Sequence, residues 1–298
     1  MTLLEVVDAF SNDDVAEQWF VRQRWPDGVR CPKCNGDRVT SQSSHPTMPF
    51  YCRACRRFFS VKTGSVMQAS KLGYRKWAIA IHMLTTNPKG RSSLQLAKDL
   101  GVTQTTAWYL SHRIRKAWTT DVARFGGPVQ VDEAYFGGKE KNKHRKKRLG
   151  VRGTQGKVPV VAVLDTETNQ VAARVMPDAT AEQIRKFVHH HTRKGSTIYS
   201  DESTVYNGLK NRGHATVNHS KGEYGRGLVT TNSMESFWAL LKRAYCGTFH
   251  WMSPKHMHRY VSEFAGRHNA RTLDAQERVG VLVQGMAGKR LTYAQLTA

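Results

Sequence analysis

The stretch VQVDEAYFGGKEKNKHRKKRLG, residues 129–150, joins a short apolar segment to a strongly basic one. The apolar segment has the composition of a buried β-strand, yet it contains two acids, Asp132 and Glu133. The ten residues from Lys139 to Arg148 then include seven Lys or Arg. Carboxylates in a buried strand need a positive partner, and a positive arm needs a negative one. The rest of the sequence must therefore indicate a positive partner for the acids and a negative partner for the basic arm.

The residues around this stretch predict a mixed α/β domain. From about Pro128 the hydrophobic pattern takes the period of strands, and strand and helix patterns then alternate. Their order is three antiparallel strands, a helix, a strand, a short helix, a strand and a final helix, which describes a ribonuclease-H-like fold. The clearest segments are 128–138, 157–165, 170–177, 196–203 and 214–220 for strands, and 180–195, 230–245 and 254–271 for helices.

Three acids from separate elements are expected to meet at one edge of this sheet. Asp132 lies on the first strand, on the face that also carries Gln130 and Ala134. Asp201 ends the fourth strand, and Glu235 lies in the first turn of the later helix. Alone, such carboxylates would repel one another and raise one another's pKa values. Two magnesium or manganese ions about 4 Å apart would cancel the repulsion and form a site for in-line attack at phosphorus.

Each acid also has a purely structural explanation. Glu235 follows Asn232 by three residues, which is a capping-box pattern. Asp201 is placed to cap a helix that begins near Ser203, and Asp132 is placed to pair with an arginine. Spacing alone does not separate the three acids from the neighbouring carboxylates Glu133, Asp165 and Glu202.

Four cysteines near the start form two CxxC pairs, Cys31 with Cys34 and Cys52 with Cys55. The two-residue gap lets both thiolates of a pair bind one ion, and the seventeen residues between the pairs allow a short hairpin. Four thiolates at tetrahedral geometry select zinc in a structural site, so the segment is predicted to be a zinc ribbon. Disulfides are the alternative, which a cytoplasmic location disfavours. Cys246 stands apart and is expected to be a small buried apolar residue.

A helix-turn-helix is predicted after the ribbon. Residues 71–86 have the pattern of a support helix, and residues 92–118 that of two helices joined at Gly101. Leu94 is expected on the apolar stripe of the first helix, and Thr103 is expected to cap the second. An ordinary helical hairpin would satisfy the same stripes, but in a DNA-reading motif the outer face of the second helix contacts bases or phosphates. That face would carry Gln104, Thr105, Trp108, Ser111, His112 and Arg115.

The net charge is +23, with 46 Lys and Arg against 23 Asp and Glu. Such an excess repels itself unless a polyanion neutralises it, so double-stranded DNA is the expected partner. The basic arm is expected to hold phosphates near the acids, although a charge run is also typical of a disordered, solvated loop. Its predicted phosphate contacts are Lys139, Lys141, Lys143, Arg145, Lys146, Lys147 and Arg148.

Neither a membrane span nor a secretion signal is predicted. The longest apolar runs fall well below the roughly 18 residues that a membrane helix needs. The N-terminal segment lacks the basic start and the small-residue cleavage site of a signal peptide. A cytoplasmic location, associated with the nucleoid, is therefore expected.

Several long motifs together resemble one known family. They are VDEAYFGGKEKNKH (131–144), GKVPVVAVLD (156–165), SDES (200–203), HATVNHSKGEY (214–224) and TTNSMESFWALLKRAYCGTFHWMSPKHMHRY (230–260). These motifs are similar to those of the ISXO-like DDE transposases of bacterial insertion sequences. RWPDGVRCPKCNG (24–36) and YCRACRRFFSVKTGSVM (51–67) resemble the zinc ribbon that precedes the catalytic domain in that family.

The resemblance implies a specific set of site residues. Asp132, Asp201 and Glu235 would be the metal ligands. The resemblance selects these three acids over the neighbouring carboxylates Glu133, Asp165 and Glu202. The family usually has a lysine seven residues after the third acid, which is Lys242 here. Seven residues make two helical turns, so Lys242 shares a face with Glu235 and would contact a phosphate beside the metals.

The resemblance also implies an activity and a domain order. The expected protein is a DNA transposase that binds terminal inverted repeats, cleaves the ends with activated water and joins the released 3′ hydroxyl to target DNA. A homodimer or larger assembly would pair the two ends. The alternatives are a metal-dependent nuclease without strand transfer and a non-catalytic DNA-binding regulator. The expected regions are an N-terminal helix and ribbon (1–68), a helix-turn-helix domain (69–125), the catalytic domain (126–275) and a C-terminal tail (276–298).

Overall fold

A computed structural model describes most of the chain, and the described part divides into two compact units. Unit 1 contains residues 1–120 and 270–298, and unit 2 contains residues 121–269. The predicted boundary at residues 68 and 69 does not separate compact units, because the ribbon and the following helices both lie in unit 1. The described residues are 2–41, 43–118, 124–138, 140–148, 150, 153–200, 204–206, 208–209, 213–216, 225–226, 229–230 and 232–298.

Helices and strands alternate along the chain, which gives a mixed α/β protein. The helices are α1 (Leu3–Ala9), α2 (Asp13–Arg24), α3 (Tyr74–Thr86), α4 (Ser93–Leu100), α5 (Gln104–Ala117), α6 (Ala181–His191), α7 (Asn232–Ala244), α8 (Pro254–Asn269), α9 (Ala275–Gln284) and α10 (Tyr293–Thr297). The strands are β1 (Val39–Thr40), β2 (Phe50–Cys52), β3 (Arg57–Phe59), β4 (Val129–Phe136), β5 (Val158–Asp165), β6 (Val171–Val175), β7 (Thr197–Ser200), β8 (Gly213–Thr216), β9 (Gly225–Arg226) and β10 (Val229–Thr230).

The turn between α4 and α5 follows the sequence prediction. Gly101 adopts a left-handed conformation with φ 59°, which ends α4 without the strain that a side chain would bring. Thr103 caps α5, because its hydroxyl accepts the backbone N–H of Thr106 at 3.3 Å. The prediction for Leu94 is wrong, since this side chain is 65% exposed and Leu96 is buried in its place. On α5, the apolar residues at helical spacing, Ala107, Leu110, Ile114 and Ala117, are all buried.

The C-terminal segment, which the sequence left as a tail, folds back onto the start of the chain. It forms α9 and α10, and α9 supplies Val279, Leu282 and Val283 to the same apolar core as α3 and α5. Backbone bonds from Val66 to Met286 and from Gly288 to Gly64 fix the segment beside the ribbon. Two side-chain hydrogen bonds also hold the segment in place. The Tyr109 hydroxyl donates to the carbonyl of Leu291 at 2.8 Å, and the Lys289 ammonium donates to the carbonyl of Ala117 at 2.8 Å.

Unit 2 is built on a five-stranded mixed sheet with the order β6-β5-β4-β7-β8. β4, β5 and β6 pair antiparallel, while β7 pairs parallel to β4 and β8 pairs parallel to β7. This order contains the predicted run of three antiparallel strands followed, after a helix, by further strands. β4 is therefore the central strand, and its residues 129 and 130 pair with β5 on one side and with β7 on the other.

Helices cover both faces of this sheet. The face with Val129 and Val131 packs against α6 through Ile184, Phe187 and Val188. The opposite face packs against α7 and α8, whose core members are Met234, Phe237, Trp238, Leu241, Val261 and Phe264. Asp132 and Glu133 occupy opposite faces of β4, as strand alternation predicts, and both are half-buried.

A buried ion pair on α8 makes a stability prediction. Glu263 is 1% exposed and accepts from the guanidinium of Arg267, which is 7% exposed. We expect Glu263→Gln to lower the free energy of unfolding by about 3 kcal/mol, because it leaves a buried charge without its counter-charge. Urea denaturation followed by circular dichroism measures the change.

The matched control has the same spacing on a solvated helix surface. Glu182 on α6 pairs with Lys186 at 2.6 Å, and both side chains are more than 70% exposed. Glu182→Gln should leave the denaturation midpoint unchanged, because water already solvates both charges. Equal midpoint shifts in the two variants would contradict the prediction.

Among the described residues, no helix is both long enough and apolar enough to cross a membrane.

Candidate functional site

The first turns of α7 lie directly over the middle of β4. The side-chain oxygen of Gln130 accepts the backbone N–H of Met234 at 3.0 Å. The indole N–H of Trp238 donates to Oδ2 of Asp132 at 2.9 Å. The two bonds fix the start of the helix against the acid-bearing face of the strand. Glu235 lies between these two anchor points, in the first turn of α7.

The carboxylate of Asp132 is oriented by two donors. Besides the indole of Trp238, the backbone N–H of Glu133 donates to Oδ1 at 2.8 Å. A half-buried carboxylate that is held in this way keeps a fixed direction and a stabilised negative charge.

Glu133 serves the other face of the sheet. Its Oε2 accepts from the hydroxyl of Tyr206, which is fully buried. Burial, together with the charges of Glu133 and Asp132, raises the pKa of Tyr135 above its ordinary value. The central strand therefore carries two negative charges, at Asp132 and Glu133, which would attract a cation.

Of the other acids considered, Asp165 lies within the described residues, whereas Asp201 and Glu202 do not. Asp165 is buried and accepts the backbone N–H groups of Glu167 at 3.0 Å and Thr168 at 2.8 Å, so it closes the turn between β5 and β6. Asp201 and Glu202 lie outside the described residues. The structure thus places Asp132 and Glu235 on adjacent elements and leaves Asp201 as a prediction.

The exposed side of α7 carries the remaining predicted residue. Glu235 and Lys242 are both exposed, and the two-turn spacing puts them on one side of the helix. The helix continues as a π-helix over Tyr245–Phe249. Cys246 is exposed on this continuation, so the prediction that it is buried is wrong. The π-helix turns its side chain outward, although the flanking Tyr245 is buried.

The basic arm has local structure. It forms two single-turn helices, Glu140–Asn142 and Arg145–Lys147. The guanidinium of Arg148 closes them by donating to the carbonyls of Lys143 at 3.0 Å and Lys141 at 2.6 Å. Lys143 is paired with Glu140 at 2.6 Å. The exposed cations of the arm are Lys141, Arg145, Lys146 and Arg148, while Lys139 and the side chain of Lys147 lie outside the described residues.

Only part of the predicted outer face of α5 is open to solvent. Gln104 and Thr105 are exposed at the first turn, and the amide of Gln104 donates to Ser93 on α4 at 2.9 Å. Trp108 is half-buried. The outward position predicted for Ser111, His112 and Arg115 is wrong, because these side chains are at most 2% exposed. The second half of α5 is enclosed, and Arg113 also turns inward to the carbonyls of Val66 and Gln68.

The four paired cysteines converge at one point, with all four sulfur atoms within 4.8 Å of one another. Sulfur atoms lie 3.5 Å apart for Cys31 and Cys55 and 3.6 Å apart for Cys34 and Cys52. A tetrahedron with Zn–S bonds of about 2.3 Å has sulfur separations of roughly 3.8 Å, which this cluster matches. Burial and the neighbouring thiols raise the pKa of Cys55 to about 12, and a zinc ion would remove that repulsion.

Both CxxC pairs share the same backbone turn. Asn35 and Arg56, which directly follow the second cysteine of each pair, have φ angles of 57° and 56°. The left-handed residue turns the chain sharply after the second cysteine of each pair. The short antiparallel sheet of β1, β2 and β3 then returns one pair to the other. These residues form the structural frame of a zinc ribbon.

Sequence reasoning missed Gln130 and Trp238 as members of the β4–α7 site. A usable signal existed for each of them. Gln130 is a polar residue in a buried strand, two positions before Asp132 and therefore on the same face. Trp238 lies three residues after Glu235, which puts the two on neighbouring positions of one helix face.

The bond between Trp238 and Asp132 predicts a measurable stability difference. We expect Trp238→Phe to lower the free energy of unfolding by about 2 kcal/mol through the lost hydrogen bond to a charged acceptor, in addition to the lost ring volume. Trp118→Phe is the control, because its buried indole N–H makes no hydrogen bond among the described residues. Equal losses in both variants, measured by urea denaturation, would show that the bond contributes nothing.

Two family models and one relative in sequence all come from transposable elements. Residues 124–269 match the ISXO2-like transposase domain, and residues 11–57 match the transposase zinc-ribbon domain. The chain is 29% identical, over 270 residues, to the uncharacterized protein in transposable element ISH50 of Halobacterium salinarum. That alignment covers 86% of this chain and 88% of the relative.

One solved structure adds little. A chain from the simian T-cell lymphotropic virus intasome in complex with PP2A regulatory subunit B56 gamma aligns with a TM-score of 0.27 and 14% identity. The alignment covers 72% of this chain and 68% of that one, and a TM-score at this level does not establish a shared fold. The two matched domains together give the identification: the chain matches a transposase zinc-ribbon domain followed by an ISXO2-like transposase domain.

Proposed function

We propose that this transposase binds the ends of its element and performs metal-dependent cleavage and joining of DNA strands. The observation that supports the proposal is the packing of α7, which carries Glu235 in its first turn, against the face of β4 that carries Asp132. The strand order of unit 2, with three antiparallel strands and then parallel ones, supports a ribonuclease-H-like fold. In that arrangement Asp132, Asp201 and Glu235 form the catalytic acids.

The donor set fits magnesium or manganese. Carboxylate oxygens are the ligands that these hard cations prefer, and thiolates and imidazoles are not needed. Asp132 would hold such an ion with its carboxylate already oriented by Trp238 and by the backbone of Glu133. Bound ions of this kind activate an attacking oxygen and stabilise a leaving oxygen at phosphorus. Two ions, shared among three acids, would balance the negative field of the site.

Lys242 supplies the positive charge on the other side of the phosphate. It lies two turns along α7 from Glu235, on the exposed side of the helix. An ammonium group at that distance contacts a neighbouring phosphate and holds the strand in register with the acids. Lys141, Arg145 and Lys146 on the basic arm neutralise further phosphates of the same duplex.

DNA recognition is assigned to unit 1. The exposed first turn of α5, with Gln104 and Thr105, is the part of the predicted helix-turn-helix that is open to base edges. Trp108 continues this surface, and the ribbon supports it through the zinc that the four cysteines would hold. Binding to chromosomal DNA would place the protein at the nucleoid. Because two ends must be cut together, two or more copies are expected to assemble on DNA.

A strand-transfer assay tests the proposal. Purified full-length protein is incubated with magnesium, a labelled duplex carrying the end of the element, and a supercoiled target plasmid. Joined products are the expected result. Cleavage without joining would favour a nuclease, binding without cleavage would favour a DNA-binding regulator, and either outcome would overturn the proposal as stated.

A further inference from the structure

An exposed tryptophan lies on a rigid turn of unit 2. Trp251 is 60% exposed, although the adjacent Met252 is buried. Phe249 packs edge-on against Tyr260 with ring centroids 4.9 Å apart, and Met252 is 1% exposed. The side chain of His250 bonds to the carbonyl of Cys246 at 2.9 Å, and its backbone has φ 56°. The turn therefore holds the indole outward at a fixed place.

The chain segment around Trp251 contains no acidic residues. From Ser236 to Ser262 the chain contains no Asp or Glu. The same segment contains Lys242, Arg243, Lys255 and Arg259. Of these four, the first three are exposed, and Lys255 lies on the first turn of α8, close in sequence to Trp251. An exposed aromatic ring within a purely cationic segment matches the chemistry of DNA, which offers phosphates and stacked bases together.

The distance along the helix relates this surface to the acids. From Glu235 to Phe249 the chain runs through α7 and the π-helix without a break. Fourteen residues at about 1.5 Å each give roughly 20 Å, which is the length of about six base pairs. A duplex that presents a phosphate to Glu235 and follows α7 therefore passes Trp251.

We propose that Trp251 is a wedge that enters one base step of the bound duplex, about six base pairs from the phosphate held at the acids. The surrounding cations hold the phosphates on either side of that step. The wedge rests on the proposed function, because it needs a duplex along α7. Its role is to deform the DNA and to fix its register, so Trp251 is a positioning residue rather than a catalytic one.

The physical balance favours a base step over a protein partner. Partial unstacking of one step costs a few kcal/mol, and an aromatic face that stacks on the opened bases returns about as much. Because every base has a π-face, the contact tolerates many sequences. A protein partner would need acidic residues that match the cations of this segment, whereas the phosphates of DNA supply that negative charge along the whole duplex.

The first experiment locates the wedge. Full-length protein is titrated, without divalent metal, onto end duplexes in which 2-aminopurine replaces one adenine at successive positions. Wild type should raise the fluorescence several-fold at a single step, because unstacking relieves quenching. Trp251→Ala should lose that rise and bind about tenfold more weakly. Trp251→Phe should keep most of it, and Tyr293→Ala, which changes another exposed aromatic at 47% exposure, should behave like wild type.

The second experiment separates a wedge from a merely structural role. A mismatch at the responding step opens that step in advance, so it should restore the binding of Trp251→Ala to within about twofold of wild type. A mismatch two turns away should not restore it. Failure of the local mismatch to rescue binding, or a fluorescence rise that survives in Trp251→Ala, would overturn the wedge.

The wedge and the proposed function fail in different ways. Wild type that joins strands but shows no fluorescence rise retains the proposed function and excludes the wedge. Wild type that binds the duplex with a rise at one step but never cleaves it retains the wedge and excludes the catalytic proposal. If Trp251→Ala instead changes the oligomeric state in light scattering while DNA binding stays normal, the surface contacts a second copy and the wedge is excluded.

Discussion

Asp132→Asn should abolish DNA cleavage and joining while the protein still folds and binds the end duplex. The amide removes the negative charge that a divalent ion would require, so the rate should fall at least a thousandfold, or about 4 kcal/mol in the barrier. The same amide can keep only one of the two bonds that Asp132 now accepts, from Trp238 and from the backbone of Glu133. A small loss of stability, about 1 kcal/mol, should accompany the change.

Glu133→Gln is the matched control for this result. It makes the same chemical change one residue away, on the opposite face of the strand, where the carboxylate bonds to Tyr206. Cleavage should remain within a few-fold of wild type. Single-turnover cleavage in magnesium, with a gel shift for binding, measures both variants. If Asp132→Asn cleaved DNA normally and Glu133→Gln lost cleavage, Glu133 rather than Asp132 would be the metal ligand.

Loss of zinc should unfold the ribbon, because the sheet and the apolar cluster that carry the four thiols are small. Its sheet consists of β1, β2 and β3, which are only two or three residues long. Zinc binding contributes on the order of 10 kcal/mol or more to such segments. Cys52→Ser should therefore remove bound zinc, lower the melting temperature and expose the ribbon to proteolysis.

Cys246→Ser provides the control for the zinc prediction. This cysteine is exposed and stands outside the four-sulfur cluster, so its replacement should keep the metal content and the melting temperature of wild type. Metal analysis of the purified variants measures the difference directly. Full zinc occupancy in Cys52→Ser would contradict a structural zinc site. An unchanged melting temperature of wild type in the presence of a zinc chelator would also contradict it.

Local patterns predicted the elements that carry the acids. The alternation of β4 placed Asp132 and Glu133 on opposite faces, and the helical period placed Glu235 and Lys242 on one side of α7. The CxxC spacing predicted the cysteine cluster, since only short-range geometry is needed to bring two thiols of a pair together. Each of these inferences depends on residues that are close in the chain, where period and spacing carry the information.

The errors concern which faces are covered. A helical period tells which residues share a stripe, but a helix can be covered on more than one side, as α5 is at Ser111, His112 and Arg115. Leu94 is the opposite case, because it is exposed although it was expected on the apolar stripe, and Leu96 is buried instead. The packing of α9 depends on partners more than 150 residues away, and no local pattern records such a pairing.

That last pairing constrains how the protein is made. Ser65 bridges to Ala287 in unit 1, so this unit is built from segments on both sides of unit 2 in the chain and is completed only after unit 2 has been synthesised. Until residues 270–298 have been synthesised, the apolar sides of α3 and α5 that α9 covers stay open to water or to chaperones. A prematurely terminated product would therefore lack a complete first unit even when its second unit had been synthesised in full.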